Sequence, residues 1–150
     1  MNSELQSSLY KKYPKIFRQR DLSPQESTMC FGITCGNGWY NIIDNLCSII
    51  KTRIRMKRIT TSSGLVPSII FNCEVVQVKS KFGQLRFYVE GGDDYIDGAI
   101  RMAEQMSLYT CQNCGRLKKI DSASRTGVCK KCTIYKTSDN HKDTLGKIKE

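Results

Sequence analysis

Four cysteines near the C-terminal end of the chain form two close pairs, and their types and spacing could do chemistry. The pairs are Cys111-x-x-Cys114 and Cys129-x-x-Cys132, and 14 residues separate them. Zinc binds four soft ligands in a tetrahedron, and a two-residue gap lets one tight turn direct two sulfurs to the same ion. Gly115 follows the first pair and can adopt the positive φ that such a turn often needs. The spacing therefore predicts one zinc ion held by Cys111, Cys114, Cys129 and Cys132.

The predicted zinc ion is structural, because four protein sulfurs leave no coordination position for water or substrate. Lys130 and Lys131 lie inside the second pair and Arg116 follows the first. Positive charge beside thiolates lowers their pKa and favours metal binding. The alternatives are a redox dithiol and unligated thiols. His141 is the only histidine and lies in a polar tail, where a solvent-exposed role is more typical than metal ligation.

The other four cysteines, Cys30, Cys35, Cys47 and Cys73, contain no close pair. Cysteine is among the most often buried residue types, so we interpret them as buried free thiols, with a second shared zinc site as the alternative. The N-terminal segment lacks the basic and apolar run of a secretory signal. We therefore expect an intracellular, cytoplasmic protein with reduced thiols rather than a disulfide framework.

Hydrophobic periodicity predicts two long amphipathic helices. The first follows a turn at residues 36–38 and has its apolar stripe at Trp39, Ile42, Ile43, Leu46, Ile49 and Ile50. The second begins after a capping Asp93 or Asp94 and has its apolar side at Ile96, Ala99, Ile100, Ala103 and Met106. A shorter helix with Leu5, Leu9 and Tyr13 is expected before Pro14.

Between the long helices, residues 69–79 and 85–90 are rich in β-branched and aromatic side chains and predict an antiparallel hairpin. The predicted fold is α+β: two long helices packed with a hairpin, followed by a small zinc-ribbon or treble-clef module. The predicted division is a core domain at 1–109, a zinc-binding module at 110–136 and a polar tail at 137–150.

The sequence offers little for an active site. Gln77-x-Lys79 on a strand is similar to part of a metal-dependent nuclease motif, but Glu74 has odd spacing from Gln77 and is expected on the opposite face. The acidic stretch 90–97 is better explained by helix capping than by metal binding. With one histidine and no glycine-rich phosphate loop, we expect a binding protein and not an enzyme.

The formal net charge is +10, and a zinc ion with four thiolates would lower it by about two. Basic residues concentrate at the end of the first long helix and in the cysteine-rich module. The candidates for binding nucleic-acid phosphates are Lys51, Arg53, Arg55, Lys57, Arg58, Arg116, Lys118, Lys119, Lys130 and Lys131. Non-enzymatic nucleic-acid binding is the first hypothesis, and a protein-interaction module is the alternative because four-cysteine zinc folds also form rigid interaction surfaces.

Several stretches together resemble a family of small proteins encoded by bacteriophages and prophages: "LYKKYPKIF", "MCFGITCGNGWYNIIDNLCSII", "VVQVKSKFGQLRFYVEGGDDYIDGAIRMAEQMS" and "TCQNCG". The resemblance spans most of residues 9–115. It implies a phage origin, a C-terminal four-ligand zinc finger, and action in the cytoplasm of an infected bacterium, for example on a host defence or transcription complex. Some similar sequences end the zinc site with a histidine where this chain has Cys129 and Cys132, which leaves the choice between ribbon and treble clef open.

Overall fold

Two long helices packed with a small mixed sheet form the body of the protein. The computed structural model describes residues 1–62, 71–119 and 126–134, with the side chains of 58–62 left out. The helices are α1 (Ser3–Lys12), α2 (Tyr40–Ser62) and α3 (Asp94–Tyr109), and the strands are β1 (Ile33–Thr34), β2 (Cys73–Lys81) and β3 (Gln84–Gly91). The α+β class with two long helices and a β2–β3 hairpin is confirmed, and a four-cysteine cluster follows α3.

The sheet has the strand order β1-β2-β3. The predicted hairpin is present, and its turn is made by Phe82 and Gly83, which both have positive φ. Two such residues form the tight turn whose twist matches that of the flanking strands. Strand β1 was not predicted. It pairs parallel with β2 through Ile33 and Thr34 and is too short to show any alternation in the sequence.

The apolar stripe of α2 lies in the core as predicted, with one exception. Trp39, Ile43, Leu46 and Ile50 are almost fully buried, whereas Ile49 is 40% exposed. On a helix of 3.6 residues per turn, Ile49 lies at the edge of the arc that these buried side chains cover. The stripe therefore packs on one side and leaves Ile49 at the surface.

Helix α3 shows the same division. The Asp93 carboxylate caps it by accepting from the Ile96 backbone N–H, and Ile96, Ile100 and Ala103 are buried as predicted. The prediction for Met106 is wrong, because this side chain is 52% exposed and lies at the edge of the buried arc. Ser107 is buried instead, and its hydroxyl accepts from the Leu85 N–H at 2.9 Å.

Helices α2 and α3 run antiparallel. The Trp39 indole N–H, just before α2, donates to the Thr110 carbonyl just after α3, at 2.8 Å. At the other end, Arg53 of α2 bonds to Asp93, the residue before α3, at 2.9 Å. The described part of the chain contains no helix with the length and apolar character needed to cross a bilayer. The four C-terminal cysteines come after α3 in the chain, and the first of them lies beside the start of α2.

Candidate metal centre and basic surfaces

The two cysteine pairs converge on one point. The sulfurs of Cys111, Cys114, Cys129 and Cys132 all lie within 4.8 Å of one another, and the Cys114 and Cys129 sulfurs are 3.8 Å apart. A tetrahedron with Zn–S bonds of about 2.3 Å has edges of about 3.8 Å. The sulfur positions are therefore close to those of a single four-sulfur metal site.

The two pairs are held by different local structures. Residues Cys111 to Gly115 form a tight turn in which the Gly115 N–H donates to the Cys111 carbonyl at 2.9 Å, and Gly115 has the expected positive φ of 73°. Cys129 immediately precedes helical residues 130–134, and the Thr133 N–H donates to the Cys129 carbonyl at 3.0 Å. One pair thus lies on a turn and the other at the start of a helix.

The surroundings of the sulfurs favour thiolate at one position and thiol at another. Burial alone would raise the pKa of Cys111, but the backbone N–H groups of Cys114, Cys129 and Asn113 outweigh it and lower this pKa to about 6. At Cys132 the Asn113 side chain favours thiolate, but hydrogen bonds with the neighbouring thiols and burial raise the pKa to about 12. A metal ion must therefore displace protons from the cluster when it binds.

The cysteine turn is seated on the start of α2 by backbone contacts. The Gly38 N–H donates to the Gln112 carbonyl at 2.8 Å. A Cβ added at Gly36 would overlap the Gln112 carbonyl, and one added at Gly38 would overlap the Cys111 carbonyl and the Gly115 nitrogen. The sequence predicted these glycines only as a turn, yet they let two backbones meet without side chains between them.

The division into 1–109, 110–136 and 137–150 stays a prediction, since residues 120–125 and 135–150 lie outside the described residues. His141 and the polar tail also lie there. The described part of the module is joined to the core by the Gly38 and Trp39 hydrogen bonds, so these contacts span the predicted boundary at residue 110.

The other four cysteines are free thiols. Cys35, Cys47 and Cys73 are buried and Cys30 is partly buried. Burial raises the pKa of Cys35 and of Cys73 to about 11 in each case, and raises that of Cys47 still further. Within the described ranges, the four C-terminal cysteines form the only group of potential metal ligands. The geometry gives no support to a second zinc site.

The prediction that Glu74 and Gln77 lie on opposite faces of their strand is wrong. A β-bulge between Val75 and Gln77 inserts one residue into β2, so Glu74 and Gln77 share a face of the strand despite their odd spacing. The Glu74 carboxylate is nevertheless engaged by Arg18 at 2.5 Å and by the Asn72 amide at 2.6 Å. Both donors contact the same carboxylate oxygen, Oε1, so that oxygen is already bonded within the chain.

The basic residues of α2 divide between two faces of the helix. Lys51 and Arg55 are exposed and line a cleft between α1 and α2. Arg53 and Lys57 turn the other way, toward the Asp93 carboxylate, at 2.8 and 3.7 Å. The side chain of Arg58 lies outside the described residues.

The cleft between α1 and α2 contains a cluster of cations that sequence reasoning missed. Lys11, Lys12 and Lys15, at the end of α1, join Lys51 and Arg55 around a volume of about 480 Å³ with Tyr13, Pro14, Ile16 and Ile54 as its apolar lining. Three lysines within five residues were the available signal. Lys12 is paired with Asp44, and within the described residues the other four cations of the cleft form no ion pair.

A second group of cations surrounds the metal site. Arg116, Lys119, Lys130 and Lys131 are exposed. Lys118 differs, since its ammonium donates to the Leu108 carbonyl in the last turn of α3, where a cation also stabilises the helix dipole. Nine of the ten predicted basic residues have described side chains, and these nine lie on three surfaces. Lys51 and Arg55 lie together with the cations at the end of α1.

Comparison of the chain with protein-family models, with curated proteins and with solved structures found no match.

Proposed function

We propose that this chain is a zinc-stabilised protein that binds nucleic acid through phosphate contacts and does not catalyse a reaction. The single observation that carries the proposal is the cleft between α1 and α2, where five cations surround a lining of apolar side chains. The proposal rests on the geometry of the chain's own residues and on the resemblance to phage-encoded proteins. A phage origin and a site of action in the bacterial cytoplasm belong to the same proposal.

Zinc is the ion that best suits the metal site. Four thiolates in a tetrahedron are typical of structural zinc, and the donor set contains no histidine or carboxylate. A turn that supplies one pair and a helix start that supplies the other favour the treble-clef arrangement over the two turns of a zinc ribbon. The ion would hold residues 111–132 together and present Lys119, Lys130 and Lys131 on a rigid support.

The cleft suits a phosphate chain better than an isolated anion. Its cations come from α2, from the last turn of α1 and from Lys15 just after α1, so their charges line an open channel and do not converge on one point. Lys51 lies 5.8 Å from the centre of the Tyr13 ring, and the ring supports the lysine side chain at the surface. Lysines held at a surface and without carboxylate partners release counterions when they contact phosphates, which is the main source of non-specific affinity.

The cations of the metal module lie at the other end of α2. Tyr40 marks the module end of this helix and Arg55 the cleft end, and the offset of 15 residues between them spans about 22 Å along the axis. That length corresponds to roughly six base pairs of duplex. The module is therefore proposed as a second contact for the same strand or duplex.

The test is a titration of full-length, zinc-loaded protein with fluorescent single-stranded and double-stranded oligonucleotides over a range of salt concentrations. The variant is the double substitution Lys51→Glu and Arg55→Glu, with Lys79→Glu and Lys81→Glu on the hairpin as the control of equal charge change. Loss of two phosphate contacts should make the plot of log K against log salt concentration shallower by about two units. Circular dichroism of each variant checks that α2 remains folded.

Absence of binding to both oligonucleotides at low salt would overturn the proposal, as would equal losses in the two double variants. The alternative, a protein-interaction module directed at a host complex, would gain support if the protein then co-purified with one defined bacterial complex after nuclease treatment. The exposed apolar side chains between α2 and α3 suit a protein partner, either a host complex or a second copy of this chain.

A further inference from the structure

An apolar groove lies on the side of α2 that faces away from the basic cleft. It lies between α2 and α3 and has a volume of about 630 Å³. Asp94 is the only charged residue among those that line it within the described part of the chain. A nucleic acid is therefore a poor occupant, because its phosphates would meet apolar side chains and a carboxylate.

An exposed stripe with regular spacing runs along α3, and most of its residues line this groove. Tyr95, Ala99, Met102, Met106 and Tyr109 follow one another at intervals of four and three residues, the heptad spacing by which helices pack side by side. The two tyrosines and two methionines are each more than half exposed, and Ile49 adds to them from α2. We call the five α3 residues the α3 stripe.

The α3 stripe is large for a surface that faces water. Taking about 200 Å² for each large side chain, the exposed fractions of its four large members and Ile49 amount to roughly 500 Å² per copy. Exposed apolar patches of this size on soluble chains commonly mark an interface. Two such patches facing each other bury roughly 1,000 Å², which reaches the lower range of specific protein–protein interfaces before polar rims are added.

The stripe is also arranged symmetrically about its central residue. Tyr95 and Tyr109 each lie seven residues from Met102, and Gly98 and Met106 each lie four residues from it. If two α3 helices pack antiparallel with Met102 at the twofold axis, each Tyr95 faces the Tyr109 of the other copy. Met106 then lies over Gly98, where no side chain occupies the space.

Gly98 supplies an independent argument, because no contact among the described residues explains it. It lies inside α3, where glycine costs about 1 kcal/mol relative to alanine. A Cβ added at this position meets no atom within 4 Å among the described residues, so no internal contact requires glycine. A glycine on the surface of a helix permits close approach by a second helix.

The two ends of α3 carry exposed charges of opposite sign. Asp94 and Asp97 are exposed at the start of α3, and Arg116 is exposed beyond its end. Antiparallel packing of two copies places the acidic end of one against the basic end of the other. A parallel arrangement would place like charges together, so the charges select the same geometry as the side-chain spacing.

We propose that the α3 stripe is the contact surface of a twofold symmetric homodimer of this chain, with Met102 at the axis. The partner is a second copy, in which the same surface meets itself with reversed direction. The inference does not rest on the proposed nucleic-acid function, because it uses different residues on a different face.

The test is sedimentation velocity of the zinc-loaded, full-length protein over a concentration series without nucleic acid. Met102→Arg places two like charges together at the axis and should raise the dissociation constant roughly tenfold or more. Phe31→Arg is the matched control, because Phe31 has the same exposed fraction, 68%, and lies off the stripe. It should leave self-association unchanged.

Gly98→Ala distinguishes a weakened dimer from a general loss of folding. Within one chain it should stabilise α3 by about 1 kcal/mol, whereas at the interface its methyl group should weaken the dimer. A higher thermal midpoint of the dilute monomer together with a higher dissociation constant supports the proposal. A wild-type protein that is monomeric at all concentrations, or a dimer that Met102→Arg leaves intact, overturns it.

Discussion

The two sets of four cysteines differ in what surrounds their sulfur atoms. Cys111, Cys114, Cys129 and Cys132 lie on a turn and a helix start, where backbone N–H groups point at sulfur, as the Cys129 N–H does toward Cys111 at 3.2 Å. Cys35, Cys47 and Cys73 lie inside the core, and burial raises the pKa of each. The chemistry of a cysteine here depends on local donors and not on the number of cysteines in the chain.

The largest expected effect is on zinc content, which should differ between variants of the two sets of cysteines. Cys111→Ser removes one ligand, so the protein should lose most of the binding free energy of about 10 to 16 kcal/mol that structural zinc sites supply. Elemental analysis after dialysis should find about one zinc per chain in the wild-type protein and little in the variant.

Cys47→Ser is the control for this substitution. It places a hydroxyl in an apolar site and should lower the free energy of unfolding by about 1 to 3 kcal/mol, with the zinc content unchanged. Equal zinc content in the Cys111 and Cys47 variants would contradict the assignment of the two sets.

A smaller effect is expected where the metal turn is seated on α2. Gly38→Ala introduces a Cβ that overlaps backbone atoms of Cys111 and Gly115, so it should destabilise the folded protein by about 1 to 3 kcal/mol and speed zinc loss to a chelator. Gly98→Ala, which meets no overlap, should leave the chelation rate unchanged. If the two variants lost zinc equally fast, the contact with α2 would not support the site.

A final prediction concerns the pH dependence of zinc affinity. Because the pKa of Cys132 is raised to about 12, zinc must displace its proton at all lower pH values, and affinity should fall roughly tenfold per pH unit for each proton displaced. Below the Cys111 pKa of about 6 a further proton competes, so the fall should become steeper there. A competitive titration with a zinc indicator between pH 5 and 8 measures both slopes, and an affinity independent of pH would contradict the proton count.

Sequence reasoning succeeded where the signal is local. The spacing of the four C-terminal cysteines predicted the cluster that they form, and the apolar periodicity predicted α2, α3 and the hairpin. Its errors at Ile49 and Met106 concern side chains at the edge of a buried arc, where packing by other elements decides exposure.

Features that depend on long-range contact were not predicted. Strand β1 has two residues and exists because β2 lies beside it. The bulge in β2 changes the face of the strand on which Glu74 lies, and no residue type in the sequence predicts this bulge. The basic cleft joins lysines near residue 12 to cations near residue 53, and only the packing of α1 on α2 brings these parts of the chain together.

The position of Trp39 gives the molecule a built-in optical probe. It is the only tryptophan in the chain, it is fully buried, and its indole N–H donates to the carbonyl of Thr110, the residue directly before the first metal-site cysteine. Movement of the cysteine turn would expose this indole to water and shift its fluorescence emission to longer wavelength. Trp39 fluorescence should therefore report any movement of the cysteine turn in the unlabelled wild-type protein.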